Sequence, residues 1–355
     1  MDVCHPAAGA YRMLVTVTYF RIAVPPFMND VVQTVSMLVR DRRTVMKRIW
    51  FAVVLSLAMA GIPGAARATE GALGHYFPGT YVTPLAALMP PPGLYWNSME
   101  VYYSATSSRN LQIPVAGQIR AGLSAVIVGT TFTALWVPDV DIAPNTSLSF
   151  SVSVPVDYVR GRAQFGTREV TEDQVALGDI MFAPTIGWRS GNNFLSASLR
   201  VWAPTGAYRN GALDNPGMNY WTFTPTLSYT YFDMKRGLDL SVVAGIDFNT
   251  RNPDTDYTSG ALAHVDASLM QYLSKKFAIG VLGAMLYQIE DDKGPLADRF
   301  GGFRGRSFAA GPILKYTAGT EKNPVNIALS WTPEFGQKNR IKGGNGVYLS
   351  ISGKF

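Results

Sequence analysis

The sequence predicts an all-β fold: a single antiparallel transmembrane β-barrel of about 12 strands, of the outer-membrane type. Three observations lead to this prediction. Apolar and polar residues alternate with a period of two in many long segments, short and long connections between these segments take turns, and the one continuously apolar stretch is too short for a membrane helix. Together they favour a closed membrane sheet over a soluble β-sandwich.

The alternation is clearest in residues 148–158, where large apolar side chains occupy the even positions and serine most of the odd ones. A period of two places the two sets on opposite faces of a strand. The same pattern predicts strands at 94–104, 118–136, 148–159, 178–189, 193–203, 220–232, 238–249, 259–272, 277–290, 306–317, 325–335 and 346–355. Soluble strands average about five or six residues and membrane strands need roughly nine to eleven, so these lengths favour a membrane barrel.

The predicted connections alternate in length. Short turns at 190–192, 233–237, 273–276 and 318–324 take turns with long loops at 160–177, 204–219, 251–258, 291–305 and 336–345. One end of the barrel therefore carries tight turns and the other long loops, and both chain termini are expected on the short-turn, periplasmic side. Because lipid offers no hydrogen bonds to an open sheet edge, the first and last strands are expected to pair.

Four prolines lie inside predicted strands: Pro184, Pro225, Pro312 and Pro333. All four share the outward register, so the alternation survives them. Because proline cannot donate to a β-ladder, a bulge or an irregular edge is expected at each.

The front of the chain divides into three parts. Residues 46–68 have the pattern of a signal peptide, with Lys47 and Arg48 before a short apolar run and Ala66-Arg67-Ala68 after it, so that cleavage is expected after Ala68. Residues 1–45 are then expected to be a mis-assigned start or a disordered extension. Residues 69–93 are rich in proline and too broken for a strand, and we expect them to form a partial plug, in the lumen or under the periplasmic rim, ahead of the barrel at 94–355.

Removal of residues 1–68 changes the charge of the chain. Eight of the 31 Lys and Arg and three of the 25 Asp and Glu lie there, which leaves 23 basic and 22 acidic residues in the mature chain. The basic pI of the whole sequence is therefore no sign of a nucleic-acid partner. The sole cysteine, Cys4, is removed with this segment, so a disulfide or a thiol ligand is not expected.

Several short motifs are spread over nearly the whole mature chain. They are Gly93-Leu94-Tyr95-Trp96 with Tyr102-Tyr103; Gly178-Asp179 with Pro184 and Trp188; Ala203-Pro204-Thr205-Gly206 with Tyr208; Asn215-Pro216-Gly217-Met218-Asn219-Tyr220-Trp221; Tyr229-Thr230-Tyr231; and Asp247-Phe248-Asn249 with Asn252, Thr255-Asp256-Tyr257 and Ser259-Gly260. Their combination resembles the outer-membrane proteins associated with the meta-pathway of phenol degradation, a family of transporter barrels. The sequence departs from the family's pattern at Ala207, where an acidic or polar residue is more usual.

The resemblance implies a channel in the outer membrane for passive uptake of small hydrophobic or aromatic compounds, linked to aromatic catabolism, and not an enzyme. The expected partners are outer-membrane lipid and lipopolysaccharide, the outer-membrane assembly machinery and a small hydrophobic solute. Two alternatives stay open: an outer-membrane enzyme that acts on lipids, and a structural or adhesive barrel that presents its loops.

The enzyme alternative depends on His264, Asp266 and Ser268, which point to one face of a predicted strand. Alternate residues on a strand are nearly 7 Å apart, too far for an unaided hydrogen bond, so a polar network in the lumen fits better. No phosphate-binding glycine loop or cluster of metal ligands is evident, and the pair Asp254 and Asp256 is a weak calcium candidate, so we expect no cofactor and no metal.

The candidate site residues fall into two groups. Inward polar residues that are expected to line the lumen and meet the solute are Asp179, Arg200, Asp247, His264, Asp266, Gln288, Glu290 and Glu334. Loop residues in the motifs above, which either contact a solute or fold the loops over the barrel mouth, are Tyr208, Asn219, Tyr220, Asn249, Asp256 and Tyr257.

Overall fold

The computed structural model describes residues 74–106, 112–115, 118–165, 168–299 and 304–355. The expected extension at 1–45, the expected signal peptide at 46–68 and Cys4 lie outside these residues. No helix in the described part of the chain is long and apolar enough to cross a bilayer.

The described residues form strands joined by turns and loops, with one short helix. The elements are β1 Gly93–Thr106, β2 Gln112–Val115, β3 Gln118–Ala121, β4 Ser124–Val137, β5 Thr146–Phe165, β6 Arg168–Leu177, β7 Ile180–Ser190, β8 Asn193–Ala203, β9 Thr222–Asp233, β10 Leu238–Asn249, β11 Leu262–Tyr272, β12 Phe277–Gln288, α1 Pro295–Arg299, β13 Arg306–Gly319, β14 Pro324–Lys338 and β15 Asn345–Lys354. All twelve segments predicted from the alternation contain a strand of this set.

Twelve of these strands close into one antiparallel ring. From β7 to β15 each strand pairs with the next along the chain, β15 pairs with β1, β1 with β4, β4 with β5, and β5 with β7. The first and last strands of the barrel are thus hydrogen-bonded from Tyr95↔Lys354 to Ser104↔Asn345, which leaves no open edge in the ring. The prediction of an antiparallel barrel of about 12 strands is confirmed.

The two faces of the sheet reverse the usual pattern of a soluble protein. Large apolar side chains such as Phe132, Trp136 and Trp331 are exposed on the outside, whereas polar side chains such as Asp239 and Ser241 are buried on the inside. An apolar exterior of this kind is stable when lipid surrounds it. The alternation read from the sequence therefore corresponds to lipid-facing and lumen-facing positions.

The prediction of a long loop at 160–177 is wrong. β5 continues to Phe165 and the chain returns as β6, which pairs only with the second half of β5, from Val156↔Leu177 onward. The first half of β5 pairs with β7 instead, up to Ser153↔Met181. Where the two partners of β5 meet, the Gly178 amide donates to the Pro155 carbonyl at 3.0 Å. Past the barrel rim the outer face of the hairpin meets water instead of lipid, so outward residues such as Arg160 and Arg162 are charged, although Val159 and Ala163 stay buried on the inner face.

The strand predicted at 118–136 is also two elements. β3 pairs with β2 in a separate two-stranded sheet, and β4 begins at Ser124, after a turn in which Gly122 has φ of 59°. A left-handed residue of this kind ends a strand, and glycine adopts it at little cost.

The in-strand prolines interrupt the ladder, as expected, but without a bulge. Ladder pairs are missing at Pro184, at Pro225 and in the gap that contains both Pro312 and Pro333, and the register on the two sides of each gap is the same. A missing donor removes a hydrogen bond without inserting a residue, so the strand continues in step. The register shift that the structure does show lies between Arg306 and Phe308.

Gly311 in β13 offers a test of how closely the wall is packed. A Cβ at Gly311 would lie 1.8 Å from the carbonyl oxygen of Trp331, whereas a Cβ at Gly283 would meet nothing nearer than 3.9 Å. We expect Gly311→Ala to destabilise the barrel by about 1–3 kcal/mol, because the neighbouring backbone must move. The fraction refolded in detergent, measured by heat-dependent electrophoretic mobility, should fall for Gly311→Ala and stay at the wild-type level for Gly283→Ala; equal refolding of the two variants would contradict the prediction.

Candidate functional site

Residues 74–92, called here the lumen segment, lie inside the ring of strands and run along it from one end to the other. Near the long-loop end, His75 Nδ1 is 2.9 Å from the hydroxyl of Thr222, the first residue of β9. Near the short-turn end, the Leu85 amide donates to Asp239 in β10 at 2.8 Å. The segment therefore crosses the barrel interior before the chain enters β1.

Asp266, in the middle of β11, holds the centre of the lumen segment. Its carboxylate accepts hydrogen bonds from the Tyr76 hydroxyl, from the Gly79 amide at 3.3 Å and from the Tyr81 amide at 2.9 Å. Burial raises the pKa of Tyr76 well above its ordinary value, and the charge of Asp266 acts in the same direction. The phenol thus stays protonated at neutral pH and serves as a donor.

Apolar contacts attach the lumen segment to one half of the barrel. Val82 is buried in a cluster with Val243, Met270, Ala278, Leu282 and Ile313, which belong to β10, β11, β12 and β13. Tyr76 packs in a second cluster with Leu262 and Leu286. The segment therefore fills the side of the lumen that these strands enclose.

The other half of the lumen contains a cavity of about 980 Å³. Most of its wall comes from β1, β4, β5, β7 and β8, residues of β14 and β15 complete it near the short-turn end, and the lumen segment forms the facing side. The wall residues include Ser151, Ser153, Ala183, Ser196 and Ser198, and these small side chains leave the space open. The hydroxyl groups make the wall partly polar.

The cavity has lining residues at both ends of the barrel. Leu213 and Pro216 belong to the long loop between β8 and β9, whereas Lys322 and Lys354 lie at the short-turn end. The space beside the lumen segment thus follows the barrel axis between the two rims.

Asp179 lies just before β7 and is buried. It accepts hydrogen bonds from the Gly206 amide at 2.9 Å and the Met218 amide at 2.7 Å, and His75 Nε2 lies 2.8 Å from its Oδ2. The expected lumen residue thus joins the loop 204–221 to the front of the lumen segment. The His75 ring also stacks on Trp202, with 4.8 Å between ring centroids.

His264 and Asp266 do not form the catalytic arrangement considered for a lipid-acting enzyme. His264 Nε2 is 3.3 Å from Asp247, which also accepts from Thr224, and the histidine ring stacks on Tyr76. The hydroxyl of Ser268 has no hydrogen-bond partner among the described residues. The structure therefore brings no base to this serine, and His264 and Asp266 belong to the polar network of the lumen.

The remaining lumen candidates have different positions. Arg200 lines the cavity, Gln288 is buried and accepts from the Gly305 amide at 3.0 Å, and Glu334 is buried and accepts from Ser307. The expectation for Glu290 is wrong: β12 ends at Gln288, and Glu290 is exposed in the following loop. The alternation of the strand does not continue into that loop.

The loop candidates mostly hold loops together. Asn252 donates to the Tyr208 hydroxyl at 3.1 Å and accepts from Asn219 at 2.9 Å. Tyr208 and Tyr220 also line the cavity. These contacts agree with the alternative in which the motifs fold the loops over the barrel mouth.

The other three loop candidates lie away from the cavity. Asn249 accepts from Thr222 at 2.7 Å, and the buried Tyr257 donates to Asp292. Asp256 is exposed and pairs with Arg251.

No group of three or more His, Cys, Asp or Glu side chains with the geometry of a metal site occurs in the described residues. The sequence analysis also did not select His75, Tyr76, Tyr81 or Trp202 as site residues. The barrel residues that they contact are more than a hundred positions away in sequence. For His75, the scarcity of histidine in the mature chain was the one feature of the sequence that could have indicated a role.

The comparisons with known proteins agree with this architecture. The model of a family described as "Putative MetA-pathway of phenol degradation" matches residues 109–351. No curated protein matches the chain.

Among solved structures, the crystal structure of an outer-membrane channel from Pseudomonas putida F1 has a TM-score of 0.60, 13% identity, and coverage of 77% of this chain and 100% of that one. The transport unit of the autotransporter AIDA-I from Escherichia coli has a TM-score of 0.46 at 8% identity and covers 77% and 94% of the two chains. A FadL homologue from Pseudomonas aeruginosa has a TM-score of 0.39 at 10% identity and covers 82% and 98%.

The closed ring of twelve strands with an apolar exterior defines the chain as an outer-membrane-type β-barrel. The family model covers more than half of the sequence, so the chain belongs to that phenol-degradation family, and the resemblance seen in its motifs is confirmed.

Proposed function

We propose that this protein is an outer-membrane channel through which small hydrophobic solutes, aromatic compounds included, enter passively in support of aromatic catabolism. The observation that carries the proposal is the cavity beside the lumen segment, which has lining residues at both ends of the barrel. A space of about 980 Å³ along the axis is large enough for a drug-sized molecule.

The chemistry of the wall suits solutes that are mostly apolar. Met99, Ile127, Leu135 and Met181 line the cavity together with serine and threonine side chains. An apolar solute can exchange its hydration shell for these contacts, and hydroxyl groups can receive its polar substituents. Movement down a gradient through such a path needs no energy source.

The family description supports the link to aromatic catabolism, and the name of the Pseudomonas putida protein supports a channel in the outer membrane. The proposal includes export behind the signal peptide at 46–68, a position in the outer membrane with lipid and lipopolysaccharide around the apolar exterior, insertion by the assembly machinery, and no enzymatic activity. In it, the lumen segment is a partial plug that narrows the barrel to the cavity beside it.

The proposal predicts that a bulky side chain in the cavity blocks permeation. Ala183 lies in β7 and lines the cavity, whereas its neighbour Phe182 is exposed on the outside. We expect Ala183→Trp to remove most of the single-channel conductance in a planar bilayer and most of the solute uptake by proteoliposomes, because the indole occupies the path. Phe182→Trp is the matched control and should conduct like the wild type.

A wild-type barrel that inserts and neither conducts nor admits an aromatic solute would exclude the channel. Equal conductance of the two tryptophan variants would show that the solute takes another path.

A further inference from the structure

Arg200 is a cation in the cavity wall without a carboxylate partner. No ion pair joins it to a carboxylate in the described part of the chain. The carboxylate of Asp247, two strands away, already accepts from Thr224 and lies beside His264. Neighbouring wall residues such as Ala183 are small, so the guanidinium faces open space.

The lumen segment orients this guanidinium. The Tyr81 ring lies over it, with 3.7 Å between the guanidinium carbon and the ring centroid. A ring on the face of a guanidinium leaves the N–H groups at its edge free of that contact, and these groups match a carboxylate in a bidentate geometry.

Two more donors border the same cavity. Among the described residues, the Tyr81 hydroxyl and Trp202 Nε1 are buried and lack a hydrogen bond of ordinary length and angle, and both Arg200 and Trp202 lie close to the Tyr81 oxygen. Burial, followed by the charge of Asp247, raises the pKa of Tyr81 above its ordinary value, so its hydroxyl is a donor at neutral pH. Buried polar groups of proteins nearly always have well-formed partners, so the convergence of these donors with Arg200 on one cavity indicates a site for an acceptor.

The surroundings of these donors are aromatic and apolar. Trp202 stacks on His75, the Tyr220 ring meets His75 edge-on at 5.9 Å, and Met181 lines the adjoining wall. A flat ring has stacking surfaces here, while its charged substituent reaches the donors.

We propose that Arg200, Tyr81 and Trp202 form a binding subsite for the carboxylate of a small aromatic acid. The assignment rests on the proposed function, because the subsite lies on the solute path, and it narrows the solute class from apolar molecules in general to aromatic monoanions.

Titration calorimetry on the purified full barrel in detergent tests the subsite with three probes: benzoate, benzyl alcohol, which keeps the ring without the charge, and acetate, which keeps the charge without the ring. Benzoate should bind more tightly than either. We expect Arg200→Gln to weaken benzoate binding by about tenfold or more, as for the loss of a charged hydrogen bond, and to leave benzyl alcohol unchanged. Tyr81→Phe keeps the ring and should weaken benzoate by about two- to tenfold.

Arg189→Gln is the matched control, because Arg189 carries the same charge in β7 and is exposed outside the cavity lining. It should bind benzoate like the wild type. Benzoate that binds no better than benzyl alcohol, or an Arg200→Gln variant that binds it as well as Arg189→Gln does, overturns the subsite.

Conductance of the same preparation separates the two proposals. A barrel that conducts without benzoate binding refutes the subsite and leaves the channel intact. A barrel that binds benzoate without conducting refutes the channel.

Discussion

Deletion of residues 69–92 should raise the single-channel conductance several-fold and remove most of the preference among solutes. The lumen segment fills the half of the barrel enclosed by β10, β11, β12 and β13, so its loss joins that volume to the existing cavity. Conductance grows with the cross-section of the water-filled path, and the newly exposed wall includes the polar side chains of Asp239, Ser241 and Asp266 beside the apolar cluster. Planar-bilayer recordings and the uptake of larger sugars by proteoliposomes measure the change.

A Gly/Ser-rich sequence of equal length in place of residues 74–92 is the control for chain length. It lacks the anchoring side chains and should behave like the deletion, because the contacts and not the presence of a chain hold the lumen segment in place. Conductance at the wild-type level in the deletion variant would show that the segment does not restrict the path.

Asp266→Ala should release the centre of the lumen segment while leaving the barrel closed. Three donors lose their acceptor: the Tyr76 hydroxyl and the amides of Gly79 and Tyr81. Each buried donor left without a partner costs about 1–3 kcal/mol, so the docked state loses at least several kcal/mol unless water enters. We expect frequent openings in single-channel recordings and rapid cleavage by chymotrypsin after Tyr76 and Tyr81, neither of which is followed by proline.

Two further variants serve as an intermediate case and a control: Asp266→Asn and Asp256→Ala. Asparagine retains one carbonyl oxygen as an acceptor, so Asp266→Asn should fall between the wild type and Asp266→Ala. Asp256 is exposed and makes a surface ion pair, which contributes little, so its alanine variant should match the wild type. Protection from chymotrypsin in Asp266→Ala equal to that of Asp256→Ala would contradict the anchoring role.

The ring of strands could be predicted because its two environments differ sharply. Lipid on one side and a polar lumen on the other impose a strict period of two, and the strands β8 and β10 have the same bounds in the sequence and in the structure. Where the outward face meets water instead of lipid, the constraint on that face disappears. That is why the hairpin of β5 and β6, with Arg160, Arg162 and Glu172 in it, was taken for a loop.

The site could be predicted only in part. Inward register identified Arg200, Asp247, His264 and Asp266 as lumen residues, but it gave no information on what they contact. The lumen segment has no periodic pattern, and its hydrogen bonds to barrel strands other than β1 join residues separated by 104 to 270 positions. Such hydrogen bonds form only once the barrel has closed around the segment. The alternation of residues along a strand therefore cannot predict which residues they join.

The covalent link at Gly93 makes the lumen segment a tethered ligand. Gly93 opens β1, and β1 is hydrogen-bonded along its length to β4 and β15, so the attachment point is rigid. A ligand on a short tether experiences an effective concentration in the millimolar range, so a displaced segment rebinds before it can be lost. Each opening is therefore brief and self-reversing, and a free peptide with the same sequence would need about millimolar concentration to fill an emptied barrel to the extent that the tethered segment does.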